Sequence, residues 1–530
     1  MRFASAALSA SSALLLCAGL ASAQTYQGYW EPPFDHDLAG FTIPPPGDEF
    51  VSVHMALIPK GPNRGKVLVW DRHDNQPKGS WIQRWSVADV AVTPPVFQNG
   101  NLTLPSAKGD LFCAGHTWTC DGDLFVTGGT TFYREHHEDF RGGVLTYIYE
   151  PDLGSMGEWI RMQDSKEARW YPTTTVLGND QIINAGGTDD GYVDNYEVFD
   201  PHARTWLTFN GSRLLDGPPR PYTRFGWYPR LFLLSSGQVF LAGMWGVSAR
   251  LDHENAPGVW ELMDDGEYFR YVYNTAVLVP NLEPRYEDAV LRLGGDAFDV
   301  GAIGYGPTNV VEYCAAGAAA APAWNWKKAP PLRRGRMHAN AVVLPDGSLL
   351  VIGGRLNSSD VFPGLFTRVP ELLHPEVGVW QDQPNAASPR DYHSTAALLP
   401  DGRVISAGGE AALWDYQVFV PHYLADGLPR PVLHPLASED MGYGQVCTFQ
   451  HDVMPAGTKV QKAVLVRPAS ITHHTDFDAR YVALKVLGQD SGSITVVTPS
   501  GSRRAPRGYY MLFLVSNQGV PSEAGWVRLQ

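Results

Sequence analysis

The sequence predicts an all-β chain: a ring of repeated four-stranded units followed by a small β-sandwich. Three observations predict it. Gly-Gly pairs or near-pairs close an apolar strand at Gly128-Gly129, Gly186-Gly187, Gly243, Gly294-Gly295, Gly353-Gly354 and Gly408-Gly409, and their first glycines are spaced 58, 57, 51, 59 and 55 residues apart. The composition holds 54 Gly, 41 Pro and 12% aromatics, with hardly a stretch at helical period. After Pro421 the repeat stops and short apolar strands alternate with Gly, Ser and Pro turns, as in a sandwich.

In chain order, residues 1–23 read as a secretory signal peptide, with an apolar stretch from about Ala6 to Leu20 and Ala21-Ser22-Ala23 as the cleavage pattern. The mature protein is therefore expected outside the cell or in the periplasm. Residues 24–44, rich in Pro and acidic groups, are an extended lead-in expected to pack on the ring. A hairpin recurring at a period near 50 is the mark of a kelch-type β-propeller. Counting the earlier hairpin Val53–Leu57 and Val67–Trp70, seven blades fill about residues 45–420. The domains are then 24–424, propeller with lead-in, and 425–530, an immunoglobulin-like sandwich.

The formal net charge of −14 without a Lys/Arg block argues against nucleic acid or anionic membrane as partner, and no later apolar run approaches a membrane span. Cys113, Cys120, Cys314 and Cys447 are too few for a disulfide framework in a chain of this size.

The chemistry starts from Tyr392-His393, just ahead of the last hairpin. Both side chains are metal ligands when the phenol is deprotonated, and they would point to opposite faces of a strand or spread apart where a strand begins. Alone, such a pair reads as packing. Fifteen residues before the first Gly of five of the six motifs, however, stand Cys113, Tyr171, Tyr228, His338 and His393. Equivalent strand ends of a propeller meet at its axis, so these side chains converge. Tyr228 and His338 suit a wet central channel; Cys113, Tyr171 and His393 together suit a reactive site.

Phe112-Cys113-Ala114-Gly115, Ala168-Arg169-Trp170-Tyr171, Arg390-Asp391-Tyr392-His393 and Ile471-Thr472-His473 resemble, in order, the motifs of the copper radical oxidases, the galactose oxidase and glyoxal oxidase family. Gly508–Phe513 and Gly519–Ser522 resemble the end of that family's last domain. The resemblance implies one copper ion held by Tyr171, His393 and His473 with Tyr392 on the axis, and a thioether bond between Cys113 and Tyr171. It implies oxidation of a small aldehyde or primary alcohol by O2, releasing hydrogen peroxide, by a monomer. Imidazole and phenolate suit Cu(II) on chemical grounds alone. Tyr392 would be the general base and Tyr171 the radical. Trp170 could stack on the modified ring, and Arg336 could reach a substrate oxygen. His474 is the rival of His473 by spacing.

The sequence departs from galactose oxidase at Thr188-Asp189-Asp190, where that enzyme carries a Trp over the radical. Trp70, Trp118 and Trp245 are candidates for a replacement shield. This departure, and the Arg-Trp-Tyr form of the second motif, lean toward glyoxal oxidase. The charge run Arg134–Asp139 reads as a solvated connection. A propeller acting only as an extracellular binding module is the alternative, but a scaffold has no use for Cys113, Tyr171, Tyr392, His393 and His473 together.

Overall fold

The structure, a computed structural model, describes residues 25–39, 41, 50–72, 82–105, 109–131, 141–207, 225–243, 248–263, 271–280, 288–297, 306–315, 325–357, 364–410 and 414–530. The expected signal peptide, Arg134–Asp139 and Trp245 lie outside the described residues. No helix among the described residues is long and apolar enough to cross a membrane.

Seven antiparallel meanders follow one another among the described residues. Their first strands are His54–Leu57, Asp110–Trp118, Thr173–Val176, Leu231–Leu233, Thr275–Leu278, Asn340–Val343 and Ser394–Leu398. The hairpins form where the sequence has apolar β-branched runs around a tight turn. Leu349–Ile352, for example, is buried at every residue because sheets cover both its faces, and each such Val, Leu or Ile contributes roughly 1.5–3 kcal/mol by leaving water. In the last meander the turn Pro400-Asp401-Gly402 places Gly402 at φ +89°, a conformation that costs a side-chain-bearing residue about 1–2 kcal/mol.

The first strands also touch one another. Asp110–Trp118 lies against Thr173–Val176, and that strand against Leu231–Leu233. Thr275–Leu278 lies against Asn340–Val343, then Ser394–Leu398, then His54–Leu57. Separate apolar clusters fill the gaps between consecutive sheets, such as Phe232, Phe240, Ala276 and Leu278 between the fourth and fifth. The lead-in does pack on this array: Tyr29–Trp30 and Phe34–Asp35 pair with Asp415–Val420 and complete the last sheet.

Two sheets follow at the C-terminal end. One has five strands, ordered Asp440–Met441, Gly525–Leu529, Gly508–Ser516, Val460–Val466 and Tyr481–Ala483; the other joins Val446–Gln450, Ser493–Val497 and Lys485–Gln489. Leu465, Leu512 and Val527 of the first meet Phe449, Ile494 and Val496 of the second in one core. One hairpin leaves this unit. Ser470–Thr472 pairs with His54–Leu57 and lies against Asp110–Trp118, so it wedges between the first and second meanders.

Candidate metal centre

Left-handed backbone marks the site. Cys113, Tyr171, Tyr228, Tyr273, His338 and His393 all have φ between +44° and +67°, each from a different meander, at or just before its first strand. Side-chain-bearing residues hold such angles only where the surroundings enforce them. Here neighbouring residues bond to one another: Tyr171 N–H donates to the Cys113 carbonyl at 3.1 Å, Tyr228 N–H to that of Tyr171 at 2.7 Å, and His338 N–H to that of Tyr273 at 3.1 Å. Tyr273 is the residue that counting back from the glycines missed, because its meander carries a longer first connection.

The same conformation changes the reading of Tyr392 and His393. They do not point to opposite faces of a strand. They precede it, and the turn at His393 stacks the two rings at 3.9 Å. The hairpin Ser470–Asp476 supplies the next pair. Thr472 pairs with Thr475, so His473 and His474 are a two-residue loop, and φ of +47° and +56° is the type I′ pattern. The tip delivers His473 to within 4.5 Å of the His393 ring, 4.8 Å of Tyr171 and 5.2 Å of Tyr392, between ring centroids. His474 turns the other way, with Nε2 3.2 Å from Arg230 Nη2. Cys113 Sγ lies 3.7 Å from His473 Nε2.

Hydrogen bonding settles which ring nitrogens are bare. Thr472 Oγ1 donates to the Val53 carbonyl at 2.9 Å, so at its 2.7 Å contact with His473 it accepts from Nδ1–H and leaves Nε2 with a lone pair. His393 Nδ1 lies against the carboxylate of Glu410, and its buried Nε2 takes no hydrogen bond. The Tyr171 and Tyr392 hydroxyls press against each other. Burial holds both phenols well above their ordinary range, with the neighbouring Cys113 adding to the effect. Burial also pushes the His473 imidazole well below its ordinary range, with His393 next in importance. Two bare imidazole nitrogens and two phenols that ionise only beside a cation are a donor set that fits Cu(II).

Trp170 stacks on Tyr171 at 4.0 Å and 24°, and Trp227 meets both rings edge-on. Trp70 and Trp118 instead lie in the core between the first two meanders. Arg336 requires a correction. It is fully buried, donates to the Gly353 and Val369 carbonyls and pairs with Glu371 at 2.5 Å, so its guanidinium is held inside its own meander and does not reach open solvent where a substrate would enter. Arg169 with Glu197 and Arg390 with Asp415 repeat the arrangement in other meanders. The sequence did not single out Glu410, Trp227, or the buried chain in which Cys113 N–H bonds His54 Nε2 at 3.1 Å and His54 Nδ1 faces His116 Nε2 at 3.2 Å.

Residues 97–423 match the family described as "Glyoxal oxidase N-terminus", and residues 430–529 match "Galactose oxidase-like, Early set domain". The chain is 25% identical to a galactose oxidase of Gibberella zeae over 529 residues, covering 93% of this chain and 72% of that protein. It is 28% identical to the aldehyde oxidase GLOX of Vitis pseudoreticulata over 456 residues, 79% of this chain and 82% of that one. A solved structure of a fungal alcohol oxidase of the AA5 family in complex with copper superposes with a TM-score of 0.76 at 24% identity, over 95% of this chain and 99% of that one. Motifs, all-β fold and family matches agree that this chain belongs to the copper radical oxidases, the family of glyoxal oxidase and galactose oxidase.

Proposed function

We propose that this chain is an exported oxidase with one copper ion held by Tyr171, Tyr392, His393 and His473, and with a thioether bond between Cys113 and Tyr171. Its seven meanders are the blades of a propeller spanning residues 24–424, and residues 425–530 are an immunoglobulin-like sandwich that lends the axis a ligand. The observation carrying this reading is the convergence of two phenols, two bare imidazole nitrogens and one thiol from four chain segments.

When bound, copper would supply one redox equivalent and the positive charge against which both phenols ionise. The residues do the rest. Tyr392 accepts the hydroxyl proton of the substrate as general base. Tyr171, its ring made easier to oxidise by the ortho sulfur, supplies the second equivalent as a radical and takes hydrogen from the adjacent carbon. Trp170 covers the Tyr171 ring and keeps water from it. Glu410 and Thr472 fix the two imidazoles by their Nδ1–H groups. An alcohol thus becomes an aldehyde, or an aldehyde hydrate an acid, as O2 becomes hydrogen peroxide.

Peroxide release from a panel of alcohols and aldehydes by copper-loaded protein tests the reading. Thr188–Asp189 pairs with Gly191–Tyr192 in a small hairpin whose one ring is the Tyr192 phenol, so the indole that galactose oxidase offers a sugar has no counterpart there. kcat/KM for glyoxal or methylglyoxal should exceed that for galactose at least tenfold, about 1.4 kcal/mol in the transition state. A preference for galactose would show that another aromatic, such as Trp227, supplies the platform. The thioether has its own readout: aerobic copper loading should lower the intact mass by two hydrogens, and fully loaded, aerated protein of unchanged mass would count against the cross-link.

A further inference from the structure

Cys120 is the cysteine that neither packing nor the oxidase accounts for. Cys314 and Cys447 belong to apolar clusters, whereas Cys120, just beyond the end of Asp110–Trp118 remote from Cys113, has polar company. Its Sγ lies 3.7 Å from His202 Nε2, and that nitrogen lies 3.2 Å from Asp180 Oδ2. One donor atom from each of the three residues lies within 4.8 Å of the others. Zinc ligands at about 2.3 Å for sulfur and about 2.0–2.1 Å for nitrogen or oxygen, set on a tetrahedron, stand about 3.3–3.6 Å apart. The two measured spacings fall at those edges.

One carboxylate oxygen is also uncommitted. Asp180 is 2% exposed, and its Oδ1 is buried without a hydrogen bond. Its Oδ2 takes Arg507 Nη1 at 2.5 Å, an outer partner that orients the carboxylate. The His202 side chain is 57% exposed, and its Nε2 faces inward to Cys120 and Asp180. The other buried cluster of this composition, Asp346, His374 and His422, differs on this point. Ser348 donates to both Asp346 oxygens, N–H to Oδ1 at 2.9 Å and Oγ–H to Oδ2 at 2.8 Å, and His422 Nε2 lies 3.2 Å from Oδ2, so neither carboxylate oxygen is left uncommitted.

We propose that Cys120, Asp180 and His202 form a second metal site, for a borderline-soft divalent ion of the zinc class, with the fourth position open to water on the His202 side. Binding exchanges the thiol proton for the ion, and the proton leaves to solvent. Without an ion, burial first and the charge of Asp180 second push the thiol up to about 12, which keeps it protonated and unreactive. With one, thiolate and carboxylate balance the divalent charge. Cys120 follows the first strand of the second meander, while Asp180 and His202 lie in turns of the third. Arg507 belongs to the C-terminal unit, so the ion would fasten all three together. None of these residues belongs to the catalytic cluster, so the inference stands apart from the oxidase chemistry.

The test uses the full chain carrying one equivalent of copper, with occupancy of the catalytic centre checked by its paramagnetic resonance, titrated with Co2+. One further equivalent should bind with a cobalt–thiolate charge-transfer absorption, and Zn2+ should displace it. Cys120→Ser should abolish that absorption, and His202→Ala should weaken Co2+ binding roughly tenfold or more, both with the copper signal unchanged. His202 is exposed, so H202A decides the matter even if C120S fails to fold. A wild-type chain without the thiolate absorption, an absorption that survives C120S, or H202A binding as wild type does would each overturn the site.

Discussion

Copper-loaded Cys113→Ala is expected to oxidise glyoxal at no more than ~1/1000 of the wild-type rate, a loss of about 4 kcal/mol in the transition state, while still binding copper. Cys113 is not one of the four proposed ligands; its sulfur sits beside them, 3.7 Å from His473 Nε2. The sulfur's contribution is electronic. In the proposed cross-link, ortho to the Tyr171 oxygen, it would donate density to the ring and lower the cost of removing an electron, and alanine cannot do so. Truncating a fully buried cysteine also opens a small cavity, but that costs about 1 kcal/mol of stability and leaves the ligands in place. Resonance of the bound copper separates the two effects. Turnover within tenfold of wild type, with copper normally bound, would remove the sulfur from the mechanism.

The second large effect is expected from Asp478→Ala. Asp478 and Arg467 pair at 2.7 Å where the C-terminal unit meets the second meander, both almost fully buried. Thr117 Oγ1 and Trp118 N–H donate to the carboxylate at 2.9 Å, and Arg467 donates to the Trp118 carbonyl at 2.6 Å. Removing the carboxylate leaves a guanidinium buried without its counter-ion, and breaking such a pair costs about 3–5 kcal/mol. The pair also anchors the hairpin that ends in His473. The variant should therefore unfold at lower denaturant concentration and bind copper more weakly. A stability within about 1 kcal/mol of wild type would show that the guanidinium finds another partner.

The repeat was legible because geometry forces it on the residues. The paired glycines stand where the second strand of a meander ends against the next meander's chain; a Cβ on Gly353 would land on the Arg390 carbonyl. Counting from them found five of the six left-handed residues. Tyr273 escaped because the count assumes equal connections. Arg336 was misread although the sequence held the correction: Arg169, Arg336 and Arg390 recur just ahead of the axial residue, each with an acid on a later strand of its own meander. A residue that recurs with the same kind of partner in three units serves the architecture. Glu410 had no local signal, since a carboxylate after a glycine pair looks like any solvated charge until folding brings His393 to it. The pairing of Ser470–Thr472 with His54–Leu57 was invisible for the same reason.

That long-range pairing also sets a schedule. The cluster gathers Cys113 and Tyr171 early in the chain, Tyr392 and His393 much later, and His473 last, on a hairpin that must travel back to residue 54. Contacts of such sequence separation form late, after the local meanders. A chain still emerging from the ribosome, or one halted before residue 473, has meanders but no four-ring centre. The four-ring centre is thus confined in time to the finished chain.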